Sequence, residues 1–525
     1  MSGHLVIVPI LLPLLVAALQ LLVGEKRRRA VLALSVGSGV VLVLAAAALM
    51  QAVAGDGTLA AVYRIGDWPA RFGIVLVADR LSALMVLLTC VLGLAVLPYA
   101  LGRWQHRGGH FQPLLQFLLM GLNGAFLTGD LFNLFVFFEV LLAASYGLAL
   151  HGSGARRVSA GLHYIAVNLA ASMLFLLGVS LIFGVTGTLN MAALAELIPH
   201  VPERTRALLH AGAAILGVAF LIKTAMWPLG FWLPRTYAAS APAVAAMFAL
   251  MTKVGIYVLL RLSLLLFGDG AGPASAHFGS DWMLWGGVAT VVAGTVGILG
   301  ARDLAKLAGY NVVISSGTLL GAIGLQQPAV TTGALAYLVI STLAIAAFFL
   351  VAGLLASDGD DETDDTLVLE PYEQPGESSA SEGLYAAEDE SLVVISAPIA
   401  MLGVGFSLGA LLLAGLPPLS GFLAKFALLA PMLEAGTVGA AVLFTLIIVA
   451  GFCTVIAMCR AGIQIFWVDS DRLFPNVRLV DIGSVALLLG LCLLLTVFVE
   501  GPLGYLRDTA GQIHHAANYI QAVLP

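Results

Sequence analysis

The sequence predicts an all-α, polytopic membrane protein of about fourteen transmembrane helices, including two inverted five-helix repeats that each contain a proline-broken helix. Three observations carry this. The 525 residues are 60% hydrophobic and only 10% charged, with a mean hydropathy of +1.01, too little charge to clothe a water-soluble core of this size. The apolar residues come in runs of about 20, the length at which a helix crosses a roughly 30 Å hydrocarbon layer. Two of these runs, one in each half, pair a lysine with a proline break: Lys223 with Pro228, and Lys425 with Pro417 and Pro418.

Taken in order, residues 1–110 supply spans near 4–23, 30–52 and 79–101. The first opens without a basic leader and is followed by Lys26, Arg27, Arg28 and Arg29, the reverse of a cleaved signal peptide, so it reads as a retained membrane helix. Residues 111–266 hold the first repeat, with spans near 112–128, 130–150, 162–185, 208–236 and 241–266. Residues 281–463 hold the second, with spans near 281–300, 303–325, 330–356, 392–434 and 437–463. The last unit, 464–525, combines a span near 480–500 with a C-terminal tail.

Basic residues sort to one side of these spans: Lys26 to Arg29, Arg103 with Arg107, Arg156 with Arg157, Arg235, Arg302 with Lys306, and Arg472 with Arg478. The positive-inside rule makes that side the cytoplasm and, with fourteen crossings, places both termini outside. Glu196, Glu203, Arg204 and Arg206 share an outer loop, a mild exception. The segment 358–390 is rich in acids and has no Lys or Arg. It reads as a disordered, solvated cytoplasmic spacer, with a docking strip for a basic neighbour as the alternative. Cys90, Cys453, Cys459 and Cys492 lie in or beside apolar helices without CxxC spacing, so they read as packing residues and not as metal ligands or disulfides.

Four ionisable side chains lie inside these spans: Glu139, Lys223, Lys253 and Lys425. A charge there costs about 2.5–3.5 kcal/mol on insertion scales, so one carboxylate and three amines on separate spans suggest a path for protons or small cations. Glu139 has only Phe135, Phe138, Leu142 and Ala143 around it at helical spacing, so it either takes up a proton or pairs with an amine from another helix; a structural clamp is the alternative. Lys223 stands one turn before the Pro228 break, where freed carbonyls and water can meet it. Lys253 has about a dozen helical residues on either side, so snorkelling serves it poorly, whereas Arg261 lies near enough to the helix end to snorkel and is left out. Lys425 follows its prolines while Lys223 precedes its own, so the two halves match loosely. His163 and His210 read as interfacial hydrogen-bonding residues, and Gly317 with Gly321 as a close-packing GxxxG pair.

These residues also carry a likeness. The stretches GLNGAFLTGDLFNLFVFFEVLLAASYGLAL (121–150), LIKTAMWPLGFWLPRTYAASAP (221–242), MTKVGIYVLLR (251–261) and LPPLSGFLAKF (416–426) resemble the antiporter-like membrane subunits related to respiratory complex I. Among these the chain is most similar to the D subunits of the Mrp (Pha, Mnh) multisubunit cation/proton antiporters. The resemblance spans nearly the whole chain, apart from the acidic loop and the last twenty or so residues. It implies that Glu139 and Lys223 form an ion pair in a first half-channel, with Lys253 the central link and Lys425 the terminal amine of the second. Many relatives carry a histidine in the helix containing YLVISTLAIAAFFL (337–350); here Ile340 stands in that slot, leaving water, Ser341, Thr342 or a partner subunit to bridge the path.

The expectation is therefore a proton-translocating subunit of a Na+(K+)/H+ antiporter in a bacterial inner membrane, with other membrane subunits as partners. The alternatives are a proton-pumping subunit of an NADH-quinone oxidoreductase or membrane-bound hydrogenase complex, and a scaffold that only assembles a transporter. The sequence shows no phosphate loop, nucleotide fingerprint, iron–sulfur cysteine set or haem ligand pair, so no enzyme activity and no cofactor is expected. The short outer loops argue against a soluble outer partner.

Overall fold

The computed structural model describes residues 2–55, 60–70, 73–104, 108–356, 397–468 and 478–524. Arg107, Arg472 and the acidic 358–390 stretch lie outside the described residues. Among those described, eleven helices are long and apolar enough to cross a membrane, and three shorter apolar helices, Val8–Val23, Phe111–Leu127 and Ile399–Ala414, accompany them. This matches the predicted fourteen crossings, including the two broken ones. The first broken span comprises Glu203–Lys223 and Leu233–Ala239, and the second Ala397–Ala414 and Ser420–Glu434.

The core is built from three helices, Pro242–Phe267, Leu304–Gly324 and Pro328–Leu355, which touch one another and are buried along nearly their whole length. Around them the outer helices turn large apolar side chains outward, among them Leu22, Leu44, Met173, Val296 and Phe452. In lipid, helices gain little by burying leucine, so close approach depends on small residues. Gly287 and Gly317 supply it between Ser280–Gly300 and Leu304–Gly324, where a Cβ at Gly287 would lie 2.3 Å from the Gly321 nitrogen. The GxxxG expectation holds in this sense: Gly317 faces the Ser280–Gly300 backbone, while Gly321 also meets Leu443.

Two features lie outside the predicted spans. Ala61–Arg64 and Val75–Ala78 pair as antiparallel strands β1 and β2, the β-branched Val75 and Val77 being buried. The tail forms two further helices, Glu500–His514 and Ala516–Val523, and the second packs against β1 and the short helix Met191–Leu197.

Candidate functional site

The break after Lys223 follows from local chemistry. Pro228 has no N–H to offer the Thr224 carbonyl, so the helix stops, Ala225 turns to φ 58°, and the Trp227–Pro228 bond is cis. Other groups take over the exposed ends. Trp227 N–H donates to Thr290 Oγ1 at 2.9 Å, and Trp232 Nε1–H donates to the Ile222 carbonyl at 3.3 Å. Gly230 folds back so closely that a Cβ would lie 2.1 Å from the Ala225 oxygen.

Lys223, the last residue of its helix, sets Nζ 5.0 Å from the centroid of the Phe138 ring, which itself packs against Phe175 and Phe220. Glu139 is the next residue after Phe138 and interacts with this amine electrostatically. The two do not form a direct ion pair within 4.0 Å among the described residues, which differs from what the resemblance implies. The Phe138 ring faces the ammonium instead. Lys223 Nζ and Glu139 Oε1 are both buried without a hydrogen-bond partner.

Lys253 is fully buried in Pro242–Phe267, eleven residues from its start. At about 1.5 Å per residue this is roughly 17 Å along the helix. Its Nζ donates to Ser315 Oγ at 2.7 Å, and Ser315 Oγ lies 3.0 Å from Ser341 Oγ. The amine thus reaches through Leu304–Gly324 into Pro328–Leu355. Of the two hydroxyls foreseen in that helix, Ser341 joins the chain, whereas Thr342 donates back to the Leu338 carbonyl at 2.6 Å. Ser315 was not foreseen; its signal was the polar pair Ser315–Ser316 within an apolar run. Ile340 is buried and lines an apolar cavity of about 390 Å³ with Leu343, Ala424 and Leu491, so that slot offers no polar atom.

Lys425 is held by the second break. The Leu413 and Ala414 carbonyls lie four residues before Pro417 and Pro418, which have no N–H to give them. Lys425 Nζ donates to both, at 3.2 and 2.7 Å. Gly415 makes room for the lysine stem: its φ is +76°, and a Cβ there would lie 2.5 Å from Lys425 Cδ.

A further buried group was read wrongly from the sequence. Arg261 does not snorkel; it is 7% exposed and forms an ion pair with Asp79, itself 3% exposed. Asp79 in turn caps the Arg80–Arg103 helix by accepting the Ser82 N–H at 2.9 Å. Arg261 also donates to Tyr257 Oη at 2.9 Å, and Tyr257 donates to the Phe126 carbonyl at 2.6 Å. The Tyr519 ring of the tail covers the guanidinium at 5.2 Å. Lys253, Tyr257 and Arg261 lie at four-residue spacing on one helix face. The remaining candidates are simpler. His210 bonds Ser275 at 3.0 Å, as expected of an interfacial histidine, and His163 sets its ring edge-on to Phe231.

The chain matches known proteins along its length. Residues 128–451 fit the model of the family described as NADH:quinone oxidoreductase/Mrp antiporter, transmembrane. The D subunit of a probable K(+)/H(+) antiporter of Rhizobium meliloti is 50% identical, over 99% of this chain and 97% of its own. The D subunit of the Na(+)/H(+) antiporter of Bacillus subtilis is 33% identical, over 99% of both chains. A chain of the Mrp complex from Dietzia superimposes with a TM-score of 0.81 at 27% identity, covering 100% of this chain and 99% of that one. A chain of the membrane-bound sulfane sulfur reductase, an archaeal respiratory membrane complex, shares the fold, with a TM-score of 0.80 at 21% identity over 100% of this chain and 99% of that one. With its buried amines, paired helix breaks and these matches, the chain belongs to the NADH:quinone oxidoreductase/Mrp antiporter family of membrane subunits, among the homologues of the antiporter D subunits.

Proposed function

We propose that this chain carries the proton path of a multisubunit Na+(K+)/H+ antiporter, through Glu139, Lys223, Lys253 and Lys425. The observation that carries the proposal is Lys253: a fully buried amine whose hydrogen bond runs on through Ser315 to Ser341. A proton on Lys253 has hydroxyls on one side. On the other side Lys223 and Glu139 are coupled through the field alone, each with a polar atom unpartnered by protein, as suits a step bridged by water. Movement of Glu139 would then switch Lys223 between holding and releasing its proton.

In this proposal residues 111–266 and 281–463 are two antiporter-like repeats, each with its own break, at Pro228 and at Pro417–Pro418. The chain sits in a bacterial inner membrane with both termini outside and other membrane subunits as partners. Inward proton movement, driven by about 2.3 kcal/mol per charge per 100 mV, would expel sodium or potassium. A second proposal keeps the relay but couples it to electron transfer, as the fold shared with the sulfane sulfur reductase allows. Vesicles holding the whole complex separate these: antiport driven by a pH step alone supports the first, and flux that requires a reductant supports the second. If Lys253→Ala leaves proton flux unchanged, Lys253 is not the central link. If Glu139→Ala and Lys223→Ala both leave assembly and transport intact, the chain is a scaffold.

A further inference from the structure

A cavity of about 830 Å³ opens beneath the first helix break, between Ala155–Thr186, Leu233–Ala239, Ser280–Gly300 and Leu304–Gly324. It falls within the roughly 300–1,000 Å³ range of small-molecule sites. Its lining includes Arg156, Arg235 and Lys306, together with His163, Trp227 and Phe231. Asp303 is the nearby acid: its Oδ2 lies 3.4 Å from Arg156 and its Oδ1 accepts the Ala305 N–H as a helix cap. One carboxylate against three cations leaves the cavity positive even with the histidine neutral.

That sign decides what the cavity can take. A positive vestibule repels protons, sodium and potassium, so it makes a poor access route for any of them. It suits an anion. The wall beside the charges is apolar and faces outward: Trp227 is 55% exposed, Phe231 61% and Val296 67%. Cations at one end with outward aromatic and aliphatic surface beside them complement an amphiphile with an anionic head. Basic pockets between transmembrane helices on the cytoplasmic side are a recurrent setting for anionic lipid headgroups, and this is the end of the bundle that we assign to the cytoplasm.

We infer that this cavity binds the phosphate headgroup of one anionic phospholipid, with Arg156, Arg235 and Lys306 around the phosphate and Trp227 and Phe231 against the upper acyl chain. The lipid would then lie under the loop that follows Lys223 and brace a segment that has lost its helical hydrogen bonds. The inference stands on the cavity and on the proposed orientation of the chain, and is independent of the transport proposal.

The test uses the purified complex containing this chain, in phosphatidylcholine nanodiscs with increasing brominated phosphatidylglycerol. Trp227 quenching is read as the difference between the native complex and Trp227→Phe. Saturable quenching at a low phosphatidylglycerol fraction is expected. Each basic residue near a membrane surface is worth about 1 kcal/mol, so Arg235→Gln with Lys306→Gln should raise the midpoint on the order of 25-fold. Arg235→Lys with Lys306→Arg should hold it near native, which separates lost charge from lost fold. Equal midpoints in the native and Gln complexes would overturn the inference. So would an absence of quenching, the result expected if a neighbouring subunit fills the cavity. Displacement by millimolar inorganic phosphate, with no preference for phosphatidylglycerol over phosphatidylcholine, would assign the site to free phosphate and overturn the lipid.

Discussion

Arg261 donates to both carboxylate oxygens of Asp79, locking the C-terminal third of the central helix to the start of Arg80–Arg103. The pair closes the far end of the same helix face that carries Lys253 and Tyr257. A fixed guanidinium at that point is a barrier to cations; in the proposed relay a proton on Lys253 would therefore leave sideways, through Ser315.

Removing one partner of such a pair strands the other as a buried charge. Arg261→Gln or Asp79→Asn alone should therefore destabilise the chain by about 3–5 kcal/mol. The double substitution, which leaves no uncompensated charge, should cost distinctly less. Thermal unfolding of the purified complex, compared across the three variants, checks this ordering.

Ser315→Ala deletes the acceptor of the Lys253 hydrogen bond while leaving the helix interface apolar. A hydrogen bond to a charged group is worth about 1.5–3 kcal/mol, so proton flux in vesicles should fall by roughly tenfold or more with assembly intact. Thr342→Ala, whose hydroxyl only bonds back to its own helix, should leave flux near native.

Gly415→Ala places a methyl group against the Lys425 stem at a positive φ. The substitution should cost about 1 kcal/mol or more in stability and displace the amine from its two carbonyls. The expected readout is reduced antiport by a complex present in near-normal amounts.

His514 joins the tail to the core through Thr331, at 3.0 Å. Burial lowers its pKa from the ordinary 6.5 to about 4, with Asp269 opposing and His515 adding to the shift. The docked tail therefore holds a neutral imidazole, and the undocked tail binds more protons between about pH 4 and 6.5. Docking should be fully stable above that window and weaken as the pH falls through it. Protection of the 500–523 amides, after division by their intrinsic exchange rates at each pH, should be lower at pH 5 than at pH 7.5; His514→Gln should flatten the difference.

Much of this was legible in the sequence because a bilayer leaves few options. Apolar length gave the spans, and proline next to lysine gave the breaks, since each rests on the local cost of an unmet carbonyl or a buried charge. What escaped was set by partners distant in the chain. Arg261 looked able to snorkel because Asp79 lies 182 positions earlier. Ser315 carried no mark of a role because its donor, Lys253, sits on another helix. The strand Val75–Ala78 is a short apolar stretch just before the span near 79–101, and only its pairing with Ala61–Arg64 distinguishes it. The offset between Glu139 and Lys223 depends on how the Phe138 ring is seated, which no spacing rule supplies.

The two carbonyls under Lys425 have a consequence that comes from counting hydrogens. A protonated amine has three, and Leu413 and Ala414 engage two of them. The neutral amine still has two. The kinked backbone can therefore stay satisfied in either charge state, so that shedding and regaining the third hydrogen need not unravel the helix that surrounds it.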